Sequence, residues 1–166
     1  MRHFVGHSLN TVPVYVDLIR SGAAKHIAKQ PSLLTMAAKA LAQTEISHDN
    51  LELEYDMGRT IGYDFVVDAL DESTAVFYAR LVREGVYTRF THKGNPKTTS
   101  CLTIILQSNE SNDECDIIDM WIGPLRPPKP GSDNEAAASR DYWKSHAVVF
   151  ENQPLHPRTL TKECPY

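Results

Sequence analysis

Between Leu51 and Ile122 the chain breaks into six short runs, Leu51–Tyr55, Ile61–Ala69, Ala75–Val82, Val86–Thr91, Cys101–Gln107 and Cys115–Ile122, separated by Gly, Asp, Asn and Ser. Runs of this length, bounded by turn formers and carrying β-branched and aromatic residues, satisfy their backbone groups by pairing as strands. The pattern predicts a mostly antiparallel meander, and that restricts the fold more than any other feature.

Upstream the pattern is helical. Thr11 to Gly22 reads as a helix with Thr11 as N-cap, Pro13 in the first turn and Val14 and Leu18 on one side. A second helix starts at Ser32, where Leu33, Leu34, Met36, Ala37, Ala40 and Leu41 form an apolar stripe in alanine-rich sequence. Downstream, Pro124-Leu-Arg-Pro-Pro-Lys-Pro-Gly131 holds four prolines, each without a backbone donor and with φ fixed, so it reads as an extended linker. Ser132 to Trp143 follows as a short helix, then His146–Phe150 as a last strand, and the proline-bearing tail reads as irregular. The expected fold is α+β, with two N-terminal helices packed on a single, mostly antiparallel twisted sheet and a short late helix. One domain over 1–166 is expected, with a helical part at about 9–44, a sheet part at about 51–150 and an irregular tail at 151–166.

At 166 residues, with 42% hydrophobic and 23% charged residues, the chain can bury a real core. No apolar run approaches the roughly 20 residues a membrane span needs, and the opening residues lack a secretory signal's apolar core, so no membrane partner and a cytoplasmic location are expected. Cys101, Cys115 and Cys164 form no close pair, which predicts unpaired thiols and no metal site. No motif calls for a cofactor. The net charge of −4 argues against broad electrostatic binding of nucleic acid but leaves room for a local basic cleft.

Tyr87-Thr-Arg-Phe-Thr-His-Lys-Gly94 reverses the sign of that charge locally. Strand alternation puts Tyr87 and Arg89 on one face, with His92 and Lys93 leaving the strand end at Gly94. Such a group can hold a phosphate and move a proton. Arg80 and Arg83 extend the basic patch, and the hydroxyls of Thr98 and Thr99 lie in the following loop.

The runs Tyr78-Ala-Arg80, Tyr87-Thr-Arg-Phe90, Leu102-Thr-Ile-Ile-Leu106, Asp119-Met-Trp-Ile-Gly123 and Tyr142-Trp-Lys-Ser-His-Ala-Val148 together resemble the barnase, EndoU, colicin and RelE-like ribonuclease group, over roughly Asp56 to Val149. The group's late-strand Thr-Ala-Tyr-type element is replaced here by Asp119-Met120-Trp121. The resemblance implies helices before a small sheet, metal-independent cleavage of RNA without a cofactor, a toxin, phage or mobile-element setting, and a cognate antitoxin or immunity protein as partner. It implies Tyr87, Arg89, His92 and Lys93 as site residues with His146 as a second imidazole, so that Arg89, His92, Lys93 and His146 are the catalytic candidates and Tyr87 positions substrate. By their own chemistry Arg80 as a cation, Thr98 and Thr99 as hydroxyls and Trp121 as a base-stacking ring are candidates to bind substrate.

Metal-free cleavage needs a base for the 2′-hydroxyl, an acid for the 5′-oxygen and cations aimed at the developing charge. Histidine suits either proton role, Arg89 would grip phosphate in a fork and Lys93 would act as a point charge. Plainer readings stand beside these. Tyr87 and Arg89 fit a solvated strand face, His92-Lys93-Gly94 a polar hairpin end and His146 a structural histidine bonded to a carbonyl. Trp121 and Trp143 fit packing against the prolines as well as base stacking. An acidic domain with an exposed proline segment also fits a non-catalytic binding module such as an immunity protein or antitoxin, with the acidic turn at Asp113, Glu114 and Asp116 facing a basic partner, and a phage or mobile-element accessory protein without catalysis is a third reading.

Overall fold

A computed structural model of the chain describes residues 2–4, 15–17, 31–47, 51–68, 76–81, 86–91, 94–109, 114–132, 135–149 and 160–161. They are α+β, with mostly antiparallel strands and two helices. The strands are β1 (Arg2–Phe4), β2 (Tyr15–Asp17), β3 (Glu52–Asp56), β4 (Gly62–Asp64), β5 (Val66–Asp68), β6 (Val76–Leu81), β7 (Val86–Thr91), β8 (Lys97–Thr99), β9 (Cys101–Asn109), β10 (Glu114–Ile122), β11 (His146–Val149) and β12 (Leu160–Thr161). Helix α1 is Pro31–Leu41 and α2 is Ala137–Ser145. The chain divides into two compact units, one of Met1–Gly62 with Thr99–Leu125, the other of Tyr63–Thr98 with Arg126–Tyr166.

The first unit buries the stripe read from the sequence. Leu33, Ala37, Ala40 and Leu41 of α1 are buried at helical spacing and share a core with Leu53, Leu102, Ile104, Leu106, Ile117 and Met120. Leu102 and Ile104 are wholly enclosed, each contributing roughly 1.5–3 kcal/mol of burial. Pro31 takes the first helical position, where its missing N–H costs nothing, so Ser32 lies inside the helix rather than capping it. The sheet here has the order β10-β9-β3, and β9 and β10 form a long hairpin with a bulge between Ile117 and Asp119.

The second unit has the order β12-β6-β7-β11-β5, antiparallel throughout except that β11 runs parallel to β7. Ahead of α2, Glu135 accepts from the Gly131 N–H, while the buried Ser139 hydroxyl accepts from the Ala136 N–H at the helix start.

Three expectations are corrected. The two helices are not both N-terminal: Tyr15–Asp17, inside the expected helix Thr11–Gly22, is a strand that pairs antiparallel with Arg2–Phe4. An aromatic and a β-branched residue with a ladder partner at hand favour the sheet over a short helix; the rest of that expected helix lies outside the described residues. Nor is there a single sheet, since the described strands form ladders of two, three, five and two strands. Within the expected strand Ile61–Ala69 the Asp64 carboxylate accepts from the Val66 N–H at 2.8 Å, an Asx-type bond that interrupts the run at Phe65 between β4 and β5, and these lie in different ladders. Finally, the expected loop from Asn95 to Ser100 holds the short strand β8, paired with β4.

Candidate functional site

Strand geometry separates the residues expected to act together. In the parallel ladder Val148 lies opposite Phe90 and Val149 opposite Thr91. Successive residues of a strand face opposite ways, so His146 and Val148 share a face with Thr88 and Phe90, whereas Tyr87 and Arg89 share the other with Ala147 and Val149. Arg89 and His146 are thus on opposite faces. Tyr87 and Arg89 are half-buried and each is already engaged in an interaction. Arg80 takes the register position opposite Tyr87 on β6. His92, Lys93 and Arg83 lie outside the described residues. Thr98 is exposed and Thr99 half-buried on β8. Trp121 is half-buried and donates to the Pro124 carbonyl at 2.9 Å, and Trp143 is buried and donates to the Pro127 carbonyl at 3.2 Å, so both indoles bond the proline segment.

A different group gathers around His146, where α2 runs directly into β11. At the spacing of one helical turn, the His146 and Tyr142 rings lie parallel, 4.0 Å between centroids and 3° between planes. His146 Nδ1 is 2.9 Å from the Tyr142 carbonyl and 2.9 Å from the Ser145 hydroxyl. A carbonyl only accepts, so Nδ1 carries the proton and donates it, leaving the Nε2 lone pair of the neutral ring available. The Ser145 hydroxyl donates in turn to the Tyr142 carbonyl at 3.0 Å. Across the sheet Asp68 lies directly opposite His146 on β5.

Tyr142 is held from its other end. Burial pushes its phenol above the usual range, the Arg126 guanidinium and its hydrogen bond oppose that shift, and the Asp64 carboxylate adds to it. Arg126 donates to Asp64, with side chains only 14% and 16% exposed. The guanidinium thus lies near enough to the phenol for its positive charge to act on it. The result is a connected row: Asp64 carboxylate, Arg126 guanidinium, Tyr142 phenol and, stacked on its ring, the His146 imidazole.

Of the residues in this row, the sequence singled out His146 alone. The signal for Tyr142 was its place four residues ahead of His146, visible only to a reader who knew that the helix ran unbroken into the strand. Arg126 sat in a segment read as linker, and Asp64 inside what looked like one long strand. Among the described residues no group of three or more His, Cys, Asp or Glu side chains is arranged to hold a metal ion, Cys101 and Cys115 are free thiols, and no helix is long and apolar enough to cross a membrane.

Comparison with protein-family models, with curated proteins and with solved structures finds no match for this chain.

Proposed function

We propose that this protein is a metal-independent endoribonuclease whose site is centred on His146, with Tyr142 and Arg126 in support. The observation that carries the reading is the hydrogen bond from His146 Nδ1 to the Tyr142 carbonyl, which puts the proton on Nδ1 and leaves Nε2 as the nitrogen that accepts one. His146 Nε2 takes the proton of a ribose 2′-hydroxyl, the 2′-oxygen forms a bond to phosphorus, and the bond from phosphorus to the 5′-oxygen breaks. A proton from water completes the leaving alcohol, and the other product is a cyclic phosphate. Tyr142, which keeps its proton, donates to a non-bridging phosphate oxygen as charge builds there, with the Arg126 cation nearby.

Relative to the sequence-based expectation, the base role rests on His146, and the positive end of the site passes from Arg89 to Arg126. The resemblance to the ribonuclease group named above adds support through Tyr142–Val148, one of the runs that carry it. The test is incubation of purified protein with total RNA in excess chelator beside His146→Ala. Cleavage by the wild type that the variant lacks is expected. RNA left intact by the wild type, together with tight binding to a basic protein, would establish instead a non-catalytic module of the immunity or antitoxin kind.

A further inference from the structure

Tyr63 and Phe65 are among the few large hydrophobic side chains exposed among the described residues, at 55% and 38%. Their rings lie 6.4 Å apart between centroids and 58° between planes. Between them sits Asp64, whose carboxylate is committed to Arg126 and to the Val66 N–H. The Phe65 carbonyl accepts from the Val149 N–H at 2.7 Å. The backbone carrying the two rings is therefore pinned on both sides, and the rings are presented to solvent on a fixed mount. Strand β8 pairs with β4, which places the exposed Lys97 and Thr98 on the strand beside Tyr63.

We propose that Tyr63 and Phe65 form a base-stacking platform for single-stranded RNA, with Lys97 and Thr98 contacting its phosphates. The proposal deepens the ribonuclease reading and rests on it for the choice of RNA over other chains. Aromatic faces accept any unpaired base, a lysine and a hydroxyl beside them suit the backbone between bases, and a duplex offers no free base face to such a pair. The platform is joined covalently through Asp64 to the row that ends at His146, so a strand held here is held by the same unit that carries the imidazole.

The test is fluorescence anisotropy of a labelled single-stranded RNA of about ten nucleotides, and of the same strand annealed to its complement. Both are titrated with the His146→Ala protein so that the probe stays intact. Preference for the single strand is expected, and Tyr63→Ala with Phe65→Ala, added to that background, should weaken its binding by roughly 10-fold or more, the value of stacking one base. Lys97→Gln should weaken it less and flatten its salt dependence. Circular dichroism and thermal melting of each variant separate lost binding from lost folding. Equal binding before and after removal of both rings, or preference for the duplex, overturns the platform whether or not the protein cleaves RNA. Ring-dependent binding by a protein that never cleaves upholds the platform and overturns the ribonuclease reading alone.

Discussion

The imidazole of His146 lies flat against the phenol ring of Tyr142, 4.0 Å away, and bonds through Nδ1 to the backbone carbonyl of that same residue. One residue thus sets both the orientation of the histidine ring and its tautomer. Loss of the imidazole should lower RNA cleavage by roughly 10²–10⁴-fold, the range for a positioned acid or base. Tyr142→Phe keeps the stack and the carbonyl but removes the hydroxyl that donates to the phosphate, so a loss of roughly 10²-fold, the low end for one transition-state donor, is expected. Single-turnover cleavage of a defined RNA measures both, and equal losses in the two variants would show that the phenol oxygen matters as much as the imidazole.

The pair of Asp64 and Arg126 is mostly enclosed, and breaking it from either side strands a charge. Asp64→Asn or Arg126→Gln should each lower unfolding stability by about 3 kcal/mol, the lower end for buried pairs, because neither side chain is fully shut off from water. The double variant should cost less than the sum of the two. Urea unfolding of the four proteins gives the coupling, and strict additivity would show that the two side chains do not support each other.

The Cys101 thiol is pushed up to about 11, first by burial and next by the Glu54 carboxylate beside it. It therefore holds its proton at neutral pH. Alkylation at about pH 8 should run roughly 10²-fold slower than for an ordinary cysteine, and the rate should still be climbing near pH 10, where an ordinary thiol has levelled off. Glu54→Gln removes one of the two leading causes, so the rate profile should shift to lower pH. Mass mapping of labelled peptides reads this site apart from Cys115, whose thiol is also raised by burial.

Gly94 has φ of +128°, and a Cβ placed there would lie 3.2 Å from a Val67 methyl and 3.3 Å from a Val149 methyl. Gly58, at φ +68°, would meet nothing within 4 Å. Alanine at Gly58 should therefore cost only the left-handed backbone penalty, about 1–2 kcal/mol. At Gly94 the same change should cost more, about 2–3 kcal/mol, since strain and crowding against two branched side chains add. Comparison of the two urea midpoints decides it.

Much of the fold was legible because local pattern and burial agree. The stripe from Leu33 to Leu41 is a helix since its apolar side chains recur on one face, and Val86–Thr91 is a strand with the limits its alternation suggested. The bonds of both indoles to proline carbonyls likewise match the packing role read for them. Tyr15–Asp17 was not legible as a strand, because three residues carry too little pattern to announce a partner more than ten positions away.

What the sequence determined by itself was the kind of elements present, their order along most of the chain, and the core stripe of α1, all of which follow from side-chain periodicity. Tertiary structure alone decided which strands pair, and with that which side chains meet. The parallel step between β7 and β11 sets Arg89 and His146 on opposite faces, since the pleat inverts at every residue and a shift of one position exchanges the two sets. The union of Asp64, Arg126, Tyr142 and His146 depends on contacts between segments 62 residues apart, for Asp64 and Arg126, that no local pattern encodes.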